Sequence, residues 1–213
     1  MGVSNLRQSN RVENNGKRII SSIENTQITI SSIHERLATP LCENYPFEDQ
    51  PVYSGNLMYH EESEFGGSRD IECSYQYRTG SGLFVLQSEV DLPLERIIQE
   101  INSVAPDQFH IYRNLSPKRE NLWDFISSSE RVIEISFLNE WGEETEVEEF
   151  ENMELAEVAN NYPIDTATAV YEHGEQQILV RYTGGSIVVD TDDPEANEYI
   201  TQLFERDVIQ SID

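Results

Sequence analysis

The chain has 213 residues, which allows one large domain or two small ones with a substantial core. It carries 40 acidic and 14 basic residues, a formal net charge of -26, and its only lysines are Lys17 and Lys118. No apolar run approaches the roughly 20 residues that span a bilayer, and the glycines follow no period, which excludes membrane-spanning and collagen-like classes.

The charge predicts adaptation to concentrated salt. A net charge of -26 repels itself, and this cost is tolerable where salt shortens the Debye length, to about 3 Å at 1 M. Short carboxylate side chains hold water and ions, whereas long lysine stems expose methylenes that salt drives together. We therefore expect a haloarchaeal-type protein of a high-salt cytoplasm, or a virion protein if a virus or mobile element of a halophile encodes it. An ordinary acidic protein is the alternative.

Residues 1–41 differ electrically from the rest of the chain. They hold five basic and three acidic residues, a net charge of +2, so residues 42–213 carry -28. The first aliphatic pair lies downstream of Arg7 and Arg11, so the N-terminus lacks the apolar stretch of a signal peptide and we expect no secretion by the usual route.

Apolar residues at heptad spacing predict an amphipathic N-terminal helix over residues 1–41. The seam consists of Val12, Ile19, Ile23, Ile30, Ile33 and Leu37. The Asn, Ser and Thr content lowers helix propensity, so such a helix needs a surface to stabilise it. That surface is either the body of the same chain or another subunit in an oligomeric coiled coil, and a disordered arm is the third alternative.

The next part of the chain predicts a first α+β subdomain over residues 42–139. An irregular lead-in follows Thr39-Pro40, and residues 71–78 alternate between apolar and polar as a half-buried strand does. A glycine-containing turn at residues 79–82 then leads into an apolar strand, which predicts a hairpin. Further patterns predict a strand from residue 57, a helix between Pro93 and Pro106, a short strand at 109–112, a helix after Pro117 and a strand at 133–137.

Residues 140–154 form the most acidic window, with eight glutamates in fifteen residues and no basic residue. We expect a connecting segment between two subdomains here. Trp141, Phe150 and Met153 are interleaved with the glutamates, which indicates a docking segment that presents apolar anchors in an acidic frame to a basic partner. A solvated, salt-adapted loop is the alternative.

Residues 155–213 predict a second α+β subdomain. A short helix ends at Pro163, three strands follow as a meander, and Asp193-Pro194 caps a last amphipathic helix. The segments Thr79–Val85 (TGSGLFV) and Thr183–Val189 (TGGSIVV) align without gaps, which indicates two similar subdomains. The alternative is a hairpin followed by a capped helix, an arrangement that unrelated proteins share. The predicted fold class is α+β, with antiparallel hairpins packed against amphipathic helices.

The residues indicate no specific catalytic, cofactor or metal chemistry. The four histidines lie far apart, and Cys42 and Cys73 have no ligand neighbour at short range. Residues 190–195 resemble a calcium loop, but Glu195 stands where such a loop needs glycine, so a helix cap is favoured. The glycine-rich segments at 80–82 and 184–185 lie between predicted strands and are interpreted as turns rather than phosphate loops.

These observations favour a non-enzymatic interaction or assembly protein that self-associates as a homo-oligomer or docks a protein partner through its N-terminal helix. We expect no cofactor and no membrane partner. The first alternative is a DNA-associated regulator that uses the basic N-terminal arm, although molar salt removes most of the counterion-release advantage. The second is an enzyme with a carboxylate-lined cleft, because 40 acidic residues permit spatial pairs that sequence does not reveal.

Overall fold

The computed structural model describes residues 3–12, 15–62, 66–150 and 153–211. These residues form a mixed α+β structure with antiparallel strands and five α-helices, which confirms the predicted class. The chain divides into two compact units: unit 1 comprises Met1–Thr39 and Phe47–Arg113, and unit 2 comprises Pro40–Pro46 and Asn114–Asp213. The main division of the chain therefore falls after Arg113, and the acidic window lies within unit 2.

Unit 1 contains six strands and two helices in its described residues. In chain order they are β1 (Val3–Gln8), α1 (Gly16–Ser21), β2 (Ile28–Ile30), β3 (His34–Leu37), β4 (Pro51–Glu62), β5 (Ser68–Arg78), β6 (Leu83–Ser88) and α2 (Leu94–Val104). The strands lie in the order β2, β4, β5, β6, β1, and β3 pairs with β4 on the same side as β2. All of these pairings are antiparallel.

The core of unit 1 follows from the alternation in β5. Ile71, Cys73, Tyr75 and Tyr77 are all buried, while the residues between them are more exposed. Each apolar side chain that is removed from water contributes about 1.5–3 kcal/mol before conformational entropy is subtracted. The predicted β5–β6 hairpin and the helix α2 are confirmed, and the buried face of α2 consists of Ile97, Ile98 and Ile101.

The prediction of one N-terminal helix over residues 1–41 is wrong in the part of this segment that the structure describes. Only α1 is helical there, and β1, β2 and β3 occupy much of the remainder. The side chain of Asn25 accepts hydrogen bonds from the N–H groups of Gln27 (2.7 Å) and Ile28 (2.8 Å), which turns the chain into β2. β-Branched isoleucines and threonines favour strands, and pairing with β4 and β6 outweighs the heptad spacing.

Unit 2 contains five strands and three α-helices in its described residues. In chain order they are α3 (Arg119–Ser127), β7 (Arg131–Leu138), β8 (Glu144–Glu146), a 3₁₀ helix (Val147–Glu149), α4 (Leu155–Asn161), β9 (Ile164–His173), β10 (Gln176–Thr183), β11 (Ser186–Asp190), α5 (Pro194–Asp207) and a final 3₁₀ turn (Ile209–Ser211). The strands lie in the order β11, β10, β9, β7, β8, and all four pairings are antiparallel.

Aromatic packing joins the helices of unit 2 to its strands. The ring of Phe125 in α3 lies 5.1 Å from that of Tyr171 in β9 and 5.4 Å from that of Phe204 in α5. α5 begins as predicted, since the side chain of Asp193 accepts from the N–H of Glu195 at 2.9 Å. This cap, and not a calcium loop, explains the acidic residues that precede the helix.

Residues 40–46, predicted as part of an irregular lead-in, are tied to α5. The backbone N–H of Leu41 donates to Gln202 Oε1 at 2.7 Å, and the hydroxyl of Tyr45 donates to the carboxylate of Glu205. Glu205 and Gln202 are fully buried, and a buried polar side chain requires hydrogen-bond partners. Residues 40–46 therefore belong structurally to unit 2, whereas the rest of the predicted lead-in, from Phe47 to Ser54, belongs to unit 1.

The two aligned heptapeptides occupy equivalent positions along the chain. Thr79–Val85 covers the β5–β6 turn and the start of β6, and Thr183–Val189 covers the β10–β11 turn and most of β11. Each hairpin is followed by a helix, α2 or α5. The predicted β9–β10–β11 meander is confirmed, whereas similarity of the two complete units stays a prediction.

Candidate functional site

The acidic window begins as the turn and second strand of a hairpin. β7 pairs with β8, and Asn139 closes the turn between them, because its Oδ1 accepts from the N–H groups of Trp141 (2.9 Å) and Glu143 (3.0 Å). Gly142 adopts a positive φ of 76°, which glycine permits at little cost. The segment Asn139-Glu140-Trp141-Gly142 therefore folds as a defined turn rather than as a free linker.

Trp141 projects from this turn into solvent. Its exposure is 81 %, the highest among the large apolar residues that the structure describes, and Ile133 in β7 is 53 % exposed. An indole buries a large apolar area when it docks, and tryptophan is enriched among the residues that dominate interface energies. The prediction that Trp141 is an interaction residue is thus compatible with its placement.

The other two predicted anchors of the acidic window are less exposed than Trp141. The ring of Phe150 lies 4.6 Å from that of Tyr162 and 6.1 Å from that of Phe137, and the N–H of Met153 donates to Phe150 O at 3.3 Å. Both side chains are half-buried. The structure therefore separates the three residues: the ring of Phe150 packs on unit 2, Met153 follows it half-buried, and Trp141 is presented outward.

β8 covers only part of the outer side of β7. It ends at Glu146, opposite Ser136, and the chain then turns into the 3₁₀ helix Val147–Glu149. Within the described ranges, no strand pairs with residues 131–135 on that side. The register with β9 also shifts around Ile133, which is a β-bulge and increases the local twist. This half of β7 is an open sheet edge.

A cavity of about 370 Å³ lies along the open half of β7. It is lined by residues 132–136, by Glu144, Glu146, Val147 and Glu148, and by Leu155 of α4. Successive strand residues point to opposite faces, so five consecutive lining residues place the cavity at the edge of the sheet and not on one face. Its volume falls in the range of pockets that hold ligands or side chains.

Carboxylates and aliphatic groups both line this cavity. The carboxylates belong to Glu134, Glu144, Glu146 and Glu148, and the aliphatic groups to Val132, Ile133, Ile135, Val147 and Leu155. Carboxylates accept strong hydrogen bonds from cationic donors, whereas the aliphatic groups favour apolar side chains. We call the surface formed by residues 131–135 of β7, the turn 139–143 and residues 144–149 the acidic edge.

The predicted N-terminal seam serves as core in unit 1. Ile19 and Ile23 are each 1 % exposed, and Val12, Ile30 and Ile33 pack partly buried against the same core. The sixth residue, Leu37, lies in β3 and is 55 % exposed. The structure therefore does not present these six residues as one docking stripe.

The basic N-terminal residues are also distributed among different environments. Arg7 lies in β1, is 5 % exposed and donates to Leu6 O at 2.9 Å, and burial lowers its pKa. The guanidinium of Arg11 stacks over the ring of Phe47 at 5.9 Å, while Lys17 and Arg18 lie exposed on α1. Because β1 is paired with β6, and Ile19 and Ile20 of α1 lie in the core of unit 1, β1 and α1 are part of the folded unit and do not form a separate arm.

The thiols and the glycine-rich turns have structural surroundings. Cys42 and Cys73 are free, and burial raises the pKa of Cys73 to about 12, which leaves almost no reactive thiolate at neutral pH. The 80–82 segment is a turn, as predicted, whose Gly80 and Ser81 N–H groups both donate to Gln50 Oε1 at 3.0 Å. In the part of the chain that the structure describes, no three His, Cys, Asp or Glu side chains converge as a metal site requires.

The open edge of β7 is the feature that sequence reasoning missed. The pattern Ile133-Glu134-Ile135-Ser136-Phe137 predicts that the apolar residues point inward, yet Ile133 is exposed while Ser136 is buried and bonds Thr166 at 2.7 Å. The bulge at Ile133 disturbs the alternation. The short β8, set by the turn into the 3₁₀ helix, leaves that half of the strand uncovered.

Comparison with known proteins adds no assignment to this geometry. A scan against models of protein families finds no match, and a search of curated proteins finds no relative. No helix of the described residues has the length and apolar character required to span a membrane. Fold and site together define an α+β protein with an open, acidic sheet edge.

Proposed function

We propose that the protein is a non-enzymatic interaction protein adapted to concentrated salt, and that it docks a protein partner on the acidic edge of unit 2. The observation that carries the proposal is Trp141, which is 81 % exposed at the tip of a hydrogen-bonded turn. Tryptophan is enriched among the few residues that carry most of the binding energy of protein interfaces. The open half of β7 and the cavity along it add apolar and acidic groups to this surface.

Salt adaptation is supported by the charge of the whole chain. A net charge of -26 opposes compact folding unless salt screens it, so the proposed setting is the cytosol of an extreme halophile, or a virus or mobile element that lives in one. Circular dichroism across a KCl series tests this part. We expect folding in molar KCl and loss of structure in dilute buffer, and full stability in dilute buffer would contradict it.

The partner surface is proposed at the acidic edge and not at the N-terminal segment. Ile19 and Ile23 are already buried in unit 1, so their use for self-association requires unfolding of their own core. Binding of DNA by a basic arm stays an untested alternative with weaker support, because Arg7 is buried in the paired strand β1.

Partner capture in molar KCl, followed by calorimetry with the purified partner, tests the docking surface. Trp141→Ser should abolish retention of the partner, because it removes the exposed indole and leaves the core intact. Tyr112→Ser is the matched control, since Tyr112 is an exposed aromatic residue of unit 1. Equal affinity of both variants and the wild type would contradict a docking role for the acidic edge.

An enzyme with a carboxylate-lined cleft is the second candidate, because four glutamates line the cavity along β7. General acid catalysis by paired carboxylates requires one carboxyl group with a pKa raised towards the working pH. NMR titration of Glu134, Glu144, Glu146 and Glu148 tests this alternative. If all four titrate as ordinary surface carboxyl groups, the cavity has no catalytic acid and the enzyme candidate fails.

A further inference from the structure

The hydrogen bonds that flank β8 show which backbone groups of β7 face the open side. The N–H of Leu138 donates towards β9, to Pro163 O at 2.8 Å, and the N–H of Asn139 donates the opposite way, to Glu143 O at 3.0 Å. Backbone groups of a strand alternate between its two sides. The register shift between Ser136 and Phe137 places its extra residue on β9, because Ser136 lies opposite Thr166 and Phe137 opposite Ile164, so the alternation of β7 continues to Ile135. The N–H and C=O of Ile135 therefore point away from β9, beyond the end of β8, into the open edge.

Unpaired backbone groups at an open edge are a template for another strand. A paired strand would lie along residues 131–135, which is where the cavity of about 370 Å³ runs. Ile133 is 53 % exposed, and Val132 and Ile135 are half-buried, so alternate side chains of an added strand have apolar neighbours on both faces. The edge thus offers both main-chain pairing and side-chain contacts.

The charge of the cavity indicates which side chains an added strand should carry. Glu134, Glu144, Glu146 and Glu148 line the cavity, and none of the described lining residues is basic; Arg131, the first residue of β7, lies outside the lining. A second copy of this edge would bring like charges together, which costs free energy, whereas Lys or Arg side chains would pair with these carboxylates. The same glutamates that disfavour self-pairing therefore favour a basic occupant.

We infer that residues 131–135 of β7 accept an extended segment of a basic protein partner by strand addition, with alternating cationic and aliphatic side chains of that segment in the cavity. This inference rests on the proposed function, and it adds the mode of binding and the chemistry of the partner. In molar salt the Debye length is about 3 Å, so only carboxylate–cation pairs in direct contact contribute, while apolar contacts are strengthened.

The test uses the full chain in molar KCl and a labelled peptide in which arginine and valine alternate, with fluorescence anisotropy as the readout. Two N-methylated versions carry methyl groups on alternate sets of amides. Strand addition predicts that one set loses at least about tenfold in affinity and the other set binds as the parent does. Equal tolerance of both sets shows docking by side chains only and overturns strand addition, while the proposed function stands.

Variants of the protein test the same edge from the other side. Ile135→Pro removes an N–H that faces the open edge but leaves the pairing with β9, and Ile135→Ala is its control because it shortens the side chain and keeps the amide. Only the proline variant should lose binding by about tenfold or more. Hydrogen exchange at Ile135, which the peptide should slow, keeps the inference testable if the proline variant does not fold.

Charge selection is tested by glutamine replacement of the four glutamates that line the cavity. The control replaces four exposed glutamates elsewhere, Glu24, Glu48, Glu89 and Glu175, and so changes the net charge equally. Only the cavity variant should lose its preference for the arginine peptide over a version with glutamate in place of arginine. An unchanged preference would contradict the inference that the edge binds a basic segment. Concentration-dependent dimerisation that Ile135→Pro abolishes would contradict it too, because the occupant would then be a second copy of the chain. In either case the proposed function is tested by the binding measurement with Trp141→Ser.

Discussion

The N-terminal segment and the acidic edge are the two regions where the charge pattern of the chain breaks, and the fold uses them in opposite ways. In the first, Ile19 and Ile23 are almost fully buried in unit 1. In the second, Ile133 and Trp141 remain exposed on unit 2. The difference teaches that an amphipathic pattern of isoleucines is buried in the core of the same chain when strands and helices can cover it. An uncovered strand edge and a short turn instead leave Ile133 and Trp141 at the surface.

Substitution of isoleucine in the two regions gives the largest contrast. Ile23→Ala should lower the free energy of unfolding by about 2–5 kcal/mol, because it opens a cavity in the core of unit 1. Ile133→Ala should change it by less than about 0.5 kcal/mol, because its side chain is exposed. Denaturant unfolding in molar KCl measures both, and similar losses in the two variants would break the comparison.

Alkaline pH should weaken the core of unit 1 through its buried acids. Burial raises the pKa of Cys73 from 9.0 to about 12, and that of Tyr75 from 10.0 to about 12. In the unfolded chain these groups lose their protons at a lower pH than in the folded chain, so rising pH favours the unfolded state. The free energy of unfolding should therefore decrease from about pH 9 to about pH 12. Each such group contributes a slope of at most about 1.4 kcal/mol per pH unit.

Cys73→Val provides the matched measurement for this effect. The variant keeps a small apolar side chain in the core but has no thiol to ionise, so its unfolding free energy should fall less steeply above pH 9. Trp141→Ser, on the acidic edge, should retain the wild-type slope. Identical slopes for Cys73→Val and the wild type would contradict a protonated, buried thiol.

The turn of the acidic edge should contribute a smaller share of stability. Asn139→Ala removes an acceptor that receives two backbone N–H groups, and we expect a loss of about 1 kcal/mol. The same variant should weaken partner binding, because the turn no longer fixes the position of Trp141. Thermal unfolding and partner calorimetry measure the two effects, and wild-type values in both would contradict the role of this turn.

Trp141→Ser should have the smallest effect on stability and the largest on binding. Its indole is 81 % exposed, so we expect a change in unfolding free energy below about 0.5 kcal/mol. Phe150→Ser is the informative companion, since Phe150 packs on Phe137 and Tyr162 and should destabilise unit 2. Equal destabilisation by the two changes would show that Trp141 is part of the core.

Local patterns predicted most individual elements of the body. The alternation of β5, the β5–β6 turn and the Asp193 cap of α5 are encoded by neighbouring residues, and the structure confirms them. The first 41 residues were harder, because heptad spacing and strand pairing compete for the same isoleucines. Partners distant in sequence, such as Tyr59 opposite Ile28, decide that competition.

Of the residues of the candidate site that the sequence singled out, only Trp141 is exposed. Trp141 among glutamates is visible in the sequence, whereas Phe150 and Met153 gave the same signal and are half-buried, with the ring of Phe150 packed on that of Tyr162. The open half of β7 has no local signal, because it depends on where β8 ends and on the bulge at Ile133. An edge is a property of strand order, and strand order is a long-range property.

The sequence by itself determined the charge of -26, the α+β class and most strand and helix positions, because composition and short-range periodicity act on neighbouring residues. Only the tertiary structure decided that the N-terminal isoleucines become core and that residues 131–135 of β7 remain an open edge. Both outcomes depend on which distant segments pair and which apolar surface remains uncovered after that pairing, and no local pattern encodes this.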